Sequence, residues 1–151
     1  MGRSTASWLS GPEPAPPSGY PGQRLGLPRI GPGGLAGFGR RIGALTVDWL
    51  IGYGLAALGV SFGLYSSAAL STAVLAAWLV LGIIAVALFG FTPGQFMFGL
   101  MVAPVGTGRR VGVGRAVVRG LLIALVVPPL FTDSDGRGLH DRLTGTAVVR
   151  R

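Results

Sequence analysis

Hydrophobic and polar positions along this chain fall into blocks, not into the one-faced or alternating patterns of a soluble domain. Residues 42–63, IGALTVDWLIGYGLAALGVSFG, are almost wholly apolar. At ~1.5 Å of rise per residue such a run is long enough to cross a hydrocarbon core of ~30 Å. Residues 68–89, AALSTAVLAAWLVLGIIAVALF, form a second block with no charge. The link between them is short and uncharged, so the two spans are expected as an antiparallel hairpin. A third block, 115–131, is weaker. Its uninterrupted apolar part, Leu121 to Phe131, is 11 residues long and contains Pro128-Pro129. That is short for a span, and lengthening it requires Arg119 to enter or snorkel.

The flanking pattern differs. Residues 1–39 carry seven prolines and ten glycines. They hold too little apolar surface to fold alone and read as a disordered tail. No apolar stretch suited to a signal peptide precedes Arg40. PEPAPP at residues 12–17 favours polyproline II, a weak PxxP-type ligand, and Trp8 and Tyr20 read as scattered tail aromatics. Thr92-Pro93 reads as a helix start, with Thr as N-cap and Pro at the first helical position. The following PGQFMFGL predicts a short interfacial helix. LMVAPV has strand character before a Gly-Thr-Gly turn, TDSDG reads as a turn, and TAVV near the C-terminus predicts a strand that pairs with Leu100 to Val105. The fold class that follows is an all-α membrane protein. It has a transmembrane hairpin, a third short hydrophobic helix, tilted or re-entrant, and a small polar C-terminal element able to form short strands. A tail, 1–39, precedes a transmembrane domain, 40–151.

Composition strengthens this picture. Half of the 151 residues are hydrophobic and only 12% are charged, against about 25% in soluble domains. The net charge of +8 comes entirely from arginines. It does not argue for nucleic acid, because no basic run exceeds two residues and no aromatic platform adjoins one. Arginines instead flank the spans. Arg3, Arg24, Arg29, Arg40 and Arg41 precede the first, Arg109, Arg110 and Arg115 follow the second, and none lies between. The positive-inside rule therefore puts the N-terminus and residues 91–115 in the cytoplasm. It also favours a third segment that does not cross, which would otherwise export Arg137, Arg142, Arg150 and Arg151.

The candidate chemistry is sparse. Asp48 is the one charge inside a span, and Arg41 at its mouth lies seven residues away, about two turns, on the same helix face. An ionisable group in lipid is a functional candidate by default. The plainer reading is a structural pairing of Asp48 with Arg41, Arg119 or the C-terminal element, and of Asp141 with an arginine of the first span. Small residues recur four apart at Gly52 and Ala56, Gly59 and Gly63, and Ala69, Ala73 and Ala77, a spacing that lets helices approach in lipid. His140 is the only histidine. It adjoins Asp141, but sequence neighbours do not orient each other as a catalytic triad does. There is no cysteine, no GxSxG nucleophile, no phosphate-loop motif and no spacing suited to an EF-hand. No enzyme activity, metal or cofactor is expected.

Three pieces taken together resemble a known family. They are RRIGALTVDWLI at the first span, TPGQFMFGLMV after the second, and GLHDRLTGTAVV near the end. In this order they are similar to the RDD family of bacterial membrane proteins, named for an arginine and two aspartates, over about residues 36–149. The resemblance implies that Arg41, Asp48 and Asp141 take the signature positions, with Thr146 following and Arg119, His140 and Arg142 as secondary candidates. Gln95 and Met101 depart from the basic residues common at their positions. What the resemblance implies of function is a multi-pass protein of the bacterial plasma membrane. The role it suggests is transport of a small solute or ion by an oligomer; the alternative, which rests on the small-residue faces and the tail, is a non-catalytic scaffold or accessory subunit binding another membrane protein. The expected partners are the lipid bilayer and either further copies of the chain or another membrane protein.

Overall fold

A computed structural model describes residues 19–106, 111–125 and 137–151. Helix α1 spans Phe38–Ser61 and helix α2 spans Leu70–Phe89. Both are long and apolar enough to cross a membrane. A tight connection joins them, closed by Gly63 in the left-handed region at φ 69° and by Tyr65, whose hydroxyl donates to the Ala56 carbonyl at 2.8 Å. Two five-residue helices, α3 (Pro93–Met97) and α5 (Leu139–Leu143), flank the 12-residue α4 (Val113–Ala124). Strands β1 (Leu100–Pro104) and β2 (Thr146–Arg150) pair antiparallel, Val102 facing Val148.

The long helices cross where side chains are smallest. Gly52 is buried in α1, and a Cβ there would sit 2.8 Å from Trp78 Cβ and 3.2 Å from its Cα. Ala56 and Gly59 continue the buried stripe one and two turns on. In lipid, with no hydrophobic drive between helices, such close backbone approach supplies the packing. Beside the crossing, Trp49 and Trp78 meet edge to face at 5.7 Å. Gly52→Leu is expected to force the helices apart and cost about 1–3 kcal/mol. The check is a lowered unfolding midpoint in detergent.

The compact core lies at one end of the hairpin. Ala36, Ala44, Val86, Leu100, Val102, Val111, Ala116 and Val148 cluster there. They join the start of α1, the end of α2, both strands and α4. At the opposite end Phe62 and Leu64 are exposed, as suits a lipid-facing hairpin.

Two expectations need correction. The disordered-tail reading of residues 1–39 fails over residues 33–36, which add to the outer edge of β2. Gly33 N–H donates to Arg150 O at 2.8 Å, Arg150 N–H to Gly34 O at 2.9 Å, and Ala36 N–H to Val148 O at 2.9 Å. Leu35 bridges Val149. The stabilisation is backbone pairing along an otherwise open strand edge, which needs little apolar surface. Trp8 and PEPAPP lie outside the described residues. The helix that carries the first span also begins earlier than Ile42, at Phe38.

The third hydrophobic segment is described only to Leu125. Within it α4 buries Ala116 and Arg119 and exposes Val113, Val118 and Leu121. At 12 residues, about 18 Å, α4 is shorter than the ~30 Å hydrocarbon core. The Pro128-Pro129 stretch and the TDSDG turn lie outside the described residues.

Candidate functional site

The charged residues gather at the core end, in two clusters. The first is centred on Asp141, in the first turn of α5 and 0% exposed. Its Oδ2 accepts from Arg41 Nη1 at 3.2 Å, and its Oδ1 is ion-paired with Arg119 Nη1. Arg41 reaches Asp141 because α1 begins against the strand pair. Its Nε donates to Ala36 O at 3.1 Å and its Nη2 to Val148 O at 3.4 Å. Arg119 comes from the buried face of α4 and is 3% exposed. It also donates to Thr146 Oγ1 at 3.2 Å. One carboxylate thus joins α1, α4, α5 and β2.

Hydroxyls complete this cluster. Thr144 Oγ1 donates to His140 O at 2.7 Å and lies 2.9 Å from Thr146 Oγ1. Thr146 Oγ1 accepts from Arg119 and also faces Asp141 Oδ1 at 3.5 Å, so its one proton has two acceptors in reach, Thr144 Oγ1 and the carboxylate. His140 Nε2 stands 3.4 Å from Asp141 Oδ1. Adjacent residues are therefore brought face to face by the tight turn of α5. Burial, and then the like charge of Arg41, lower the Arg119 guanidinium to about 9. It stays cationic at neutral pH, and Asp141 sits between two positive charges.

The second cluster is centred on Asp48, buried in α1. Its Oδ1 accepts from the backbone N–H of Gly94 at 2.7 Å, and its Oδ2 from Thr92 Oγ1 at 2.5 Å. Thr92 is the N-cap of α3 in a full capping box, with Gln95 returning to the Thr92 N–H at 3.0 Å. Gly94 permits the approach, since a Cβ there would overlap the Ala44 carbonyl oxygen.

The expected pairing of Asp48 with Arg41, Arg119 or the C-terminal element is thus corrected. Arg41 and Asp48 share a helix face, but Arg41 turns to Asp141, and Asp48 is held by the α3 N-terminus. Thr92, Gly94 and Thr144 are the participants that sequence reasoning missed. The Thr92-Pro93 cap was readable, but not the carboxylate it would hold. Arg142, the other secondary candidate, is exposed on α5.

Between α1, α2 and α4 lies a cavity of about 100 Å³, lined by Arg41, Asp48, Arg119, His140 and apolar side chains including Trp78 and Ile83. Among the described residues no group of three or more His, Cys, Asp or Glu side chains could hold a metal ion.

The RDD family model matches residues 35–145. No curated protein and no solved structure matches the chain. The matched region runs from the segment on the β2 edge through both long helices and α4 to the end of the Asp141 turn. It encloses Arg41, Asp48 and Asp141, and with it the chain belongs to the RDD family, as a membrane protein.

Proposed function

We propose that this chain is a non-enzymatic, multi-pass protein of the bacterial plasma membrane that works by association, as a scaffold or accessory subunit. The observation that carries this reading is how its buried carboxylates are engaged. Both oxygens of Asp141 meet arginines, and both oxygens of Asp48 accept hydrogen bonds from the α3 N-terminus. A buried carboxylate so satisfied holds elements together. The exposed apolar faces of α1 and α2, with Leu50, Tyr53, Leu58, Val80 and Ile84, are left for lipid, further copies or another membrane protein. In this reading the N-terminus and the strand pair face the cytoplasm. The connection at residues 62–66 carries no arginine while both other ends do.

A second reading, transport of a small solute or ion by an oligomer, is favoured by one observation. Asp48 and two arginines line the same small cavity between three helices.

Asp48 separates the two readings. In the association reading Asp48→Asn keeps a single acceptor oxygen for two donors. It is expected to lower stability by about 1–3 kcal/mol and to act only through the amount of protein. A cysteine placed at 48 in this cysteine-free chain is expected to resist a membrane-impermeant thiol reagent. Rapid labelling, together with a flux that Asp48→Asn abolishes at normal protein levels, would replace association with transport.

A further inference from the structure

We infer that the groove between residues 19–37 and the first turn of α1 binds the phosphate headgroup of an anionic lipid. The groove has a volume of about 450 Å³ and is lined by Tyr20, Arg29, Gly37, Phe38, Arg41 and Arg150 among others, with no aspartate or glutamate in its wall. This inference rests on the membrane placement of the chain and is independent of the association reading.

Three features direct an anion there. The first is unused donor capacity. A guanidinium carries five N–H groups, and Arg41 commits three nitrogens, to Ala36 O, Asp141 and Val148 O. That leaves two N–H groups. Arg150 Nε is buried with no hydrogen-bond partner among the described residues, an arrangement that costs free energy until an acceptor arrives. Arg29 is exposed at the rim. The second is the start of α1. Its N-cap is Gly37, which offers no side-chain acceptor, and no acid stands in the first turn. The free N–H groups and the positive end of the helix dipole add to the arginines. The third is the rim. Phe38 is 56% exposed and Ile30 78%, and Phe38 opens a helix long enough to cross the bilayer. A phosphate that brings acyl chains satisfies both the arginines and this apolar rim, whereas a free phosphate satisfies only the arginines. Arg29 and Arg150 lie outside the matched family region, 35–145, whereas Phe38 and Arg41 of the same groove lie within it.

The test uses the full chain in a neutral detergent. Native mass spectrometry counts bound lipid from an equimolar mixture of phosphatidylglycerol and phosphatidylcholine. The wild type is expected to prefer phosphatidylglycerol by about thirtyfold, the scale that two arginines near a headgroup supply at about 1 kcal/mol each. The Arg29→Gln/Arg150→Gln double variant is expected to lose most of that preference. Arg115→Gln, which removes an exposed charge on α4, is expected to keep it. Inorganic phosphate at matched concentration is expected not to displace the lipid. If the double variant unfolds, Arg29→Gln alone, at an exposed residue, must still reduce the preference. An unchanged preference in the groove variants, or an equal loss in Arg115→Gln, overturns the site in favour of general surface charge. Displacement by inorganic phosphate overturns the lipid in favour of the free ion.

Discussion

Asp141→Asn is expected to destabilise the chain by about 3–5 kcal/mol, more than the loss of either arginine that it binds. The substitution keeps size and shape but removes the negative charge shared by Arg41 and Arg119. Both guanidiniums remain cationic, Arg41 half-buried at 14% side-chain exposure and Arg119 buried at 4%. The asparagine amide also turns two N–H donors toward arginines that are themselves only donors. Arg119→Met removes one positive charge and leaves the Arg41–Asp141 pair, so its expected cost is smaller. Thr146→Val, which loses the hydrogen bonds to Arg119 and Thr144, is expected to cost about 1–2 kcal/mol. The order Asp141→Asn, then Arg119→Met, then Thr146→Val is read from unfolding midpoints in one detergent. If Arg119→Met proves as damaging as Asp141→Asn, the carboxylate is not the shared partner described here.

That ordering depends on where the charge cluster sits. The hydrophobic core and the Asp141 cluster occupy the same end of the hairpin, and Arg41, Ala44 and Asp48 lie on successive turns of α1 facing them. The first part of α1 therefore serves as a wall of a small folded cap, and the remainder serves as a membrane helix. A change at Asp141 is felt by the strand pair, α4 and α1 together, because each contributes a donor to the same carboxylate or a strand to the same core. The exposed end at Phe62 and Leu64 is coupled to none of them, and substitutions there are expected to leave the midpoint nearly unchanged.

Much of this architecture was legible in the order of residues. The two long helices follow from uninterrupted apolar length, and their hairpin from a linker too short for anything else. The β1–β2 pairing follows from strand-like LMVAP and TAVV, which the structure sets antiparallel with Ala103 opposite Ala147. What stayed hidden has a common physical origin. The edge formed by residues 33–36 is made of backbone hydrogen bonds in a Gly/Pro-rich stretch, and main-chain pairing leaves no side-chain pattern to read. The partners of Asp48 are hidden for a related reason. Spacing along a helix reports which side chains share a face, but not which neighbour from elsewhere in the chain arrives first. Charge complementarity pointed to arginine, whereas the N–H groups and hydroxyl of a helix N-terminus satisfy a carboxylate as well. Arg119 was conspicuous only as an arginine within an apolar run, a residue that needs a partner without saying which.

Gly94→Ala is the second substitution expected to have a large effect, about 2–4 kcal/mol, combining overpacking with a weakened hydrogen bond to a charged group. Alanine is ordinarily the better helix residue by about 1 kcal/mol, so propensity alone predicts a gain. The structure predicts the opposite, because the added methyl would overlap the Ala44 carbonyl oxygen and stand 2.9 Å from Asp48 Cγ. Neither neighbour can yield cheaply: one is the backbone of a continuous helix, the other is fixed by the bonds from Thr92 and Gly94 that the methyl would displace. α3 must then move away from α1, and the Asp48 carboxylate loses its 2.7 Å bond to the Gly94 N–H while remaining buried. Gly54→Ala is the matched control, since Gly54 lies in the same long helix as Asp48 with nothing within 4 Å of its added Cβ. That variant is expected to be neutral or slightly stabilising. Unfolding midpoints of the two variants, measured side by side in detergent, decide the matter. Equal midpoints would mean that α3 does not rest against α1 at this glycine, and that the buried carboxylate of Asp48 is held some other way.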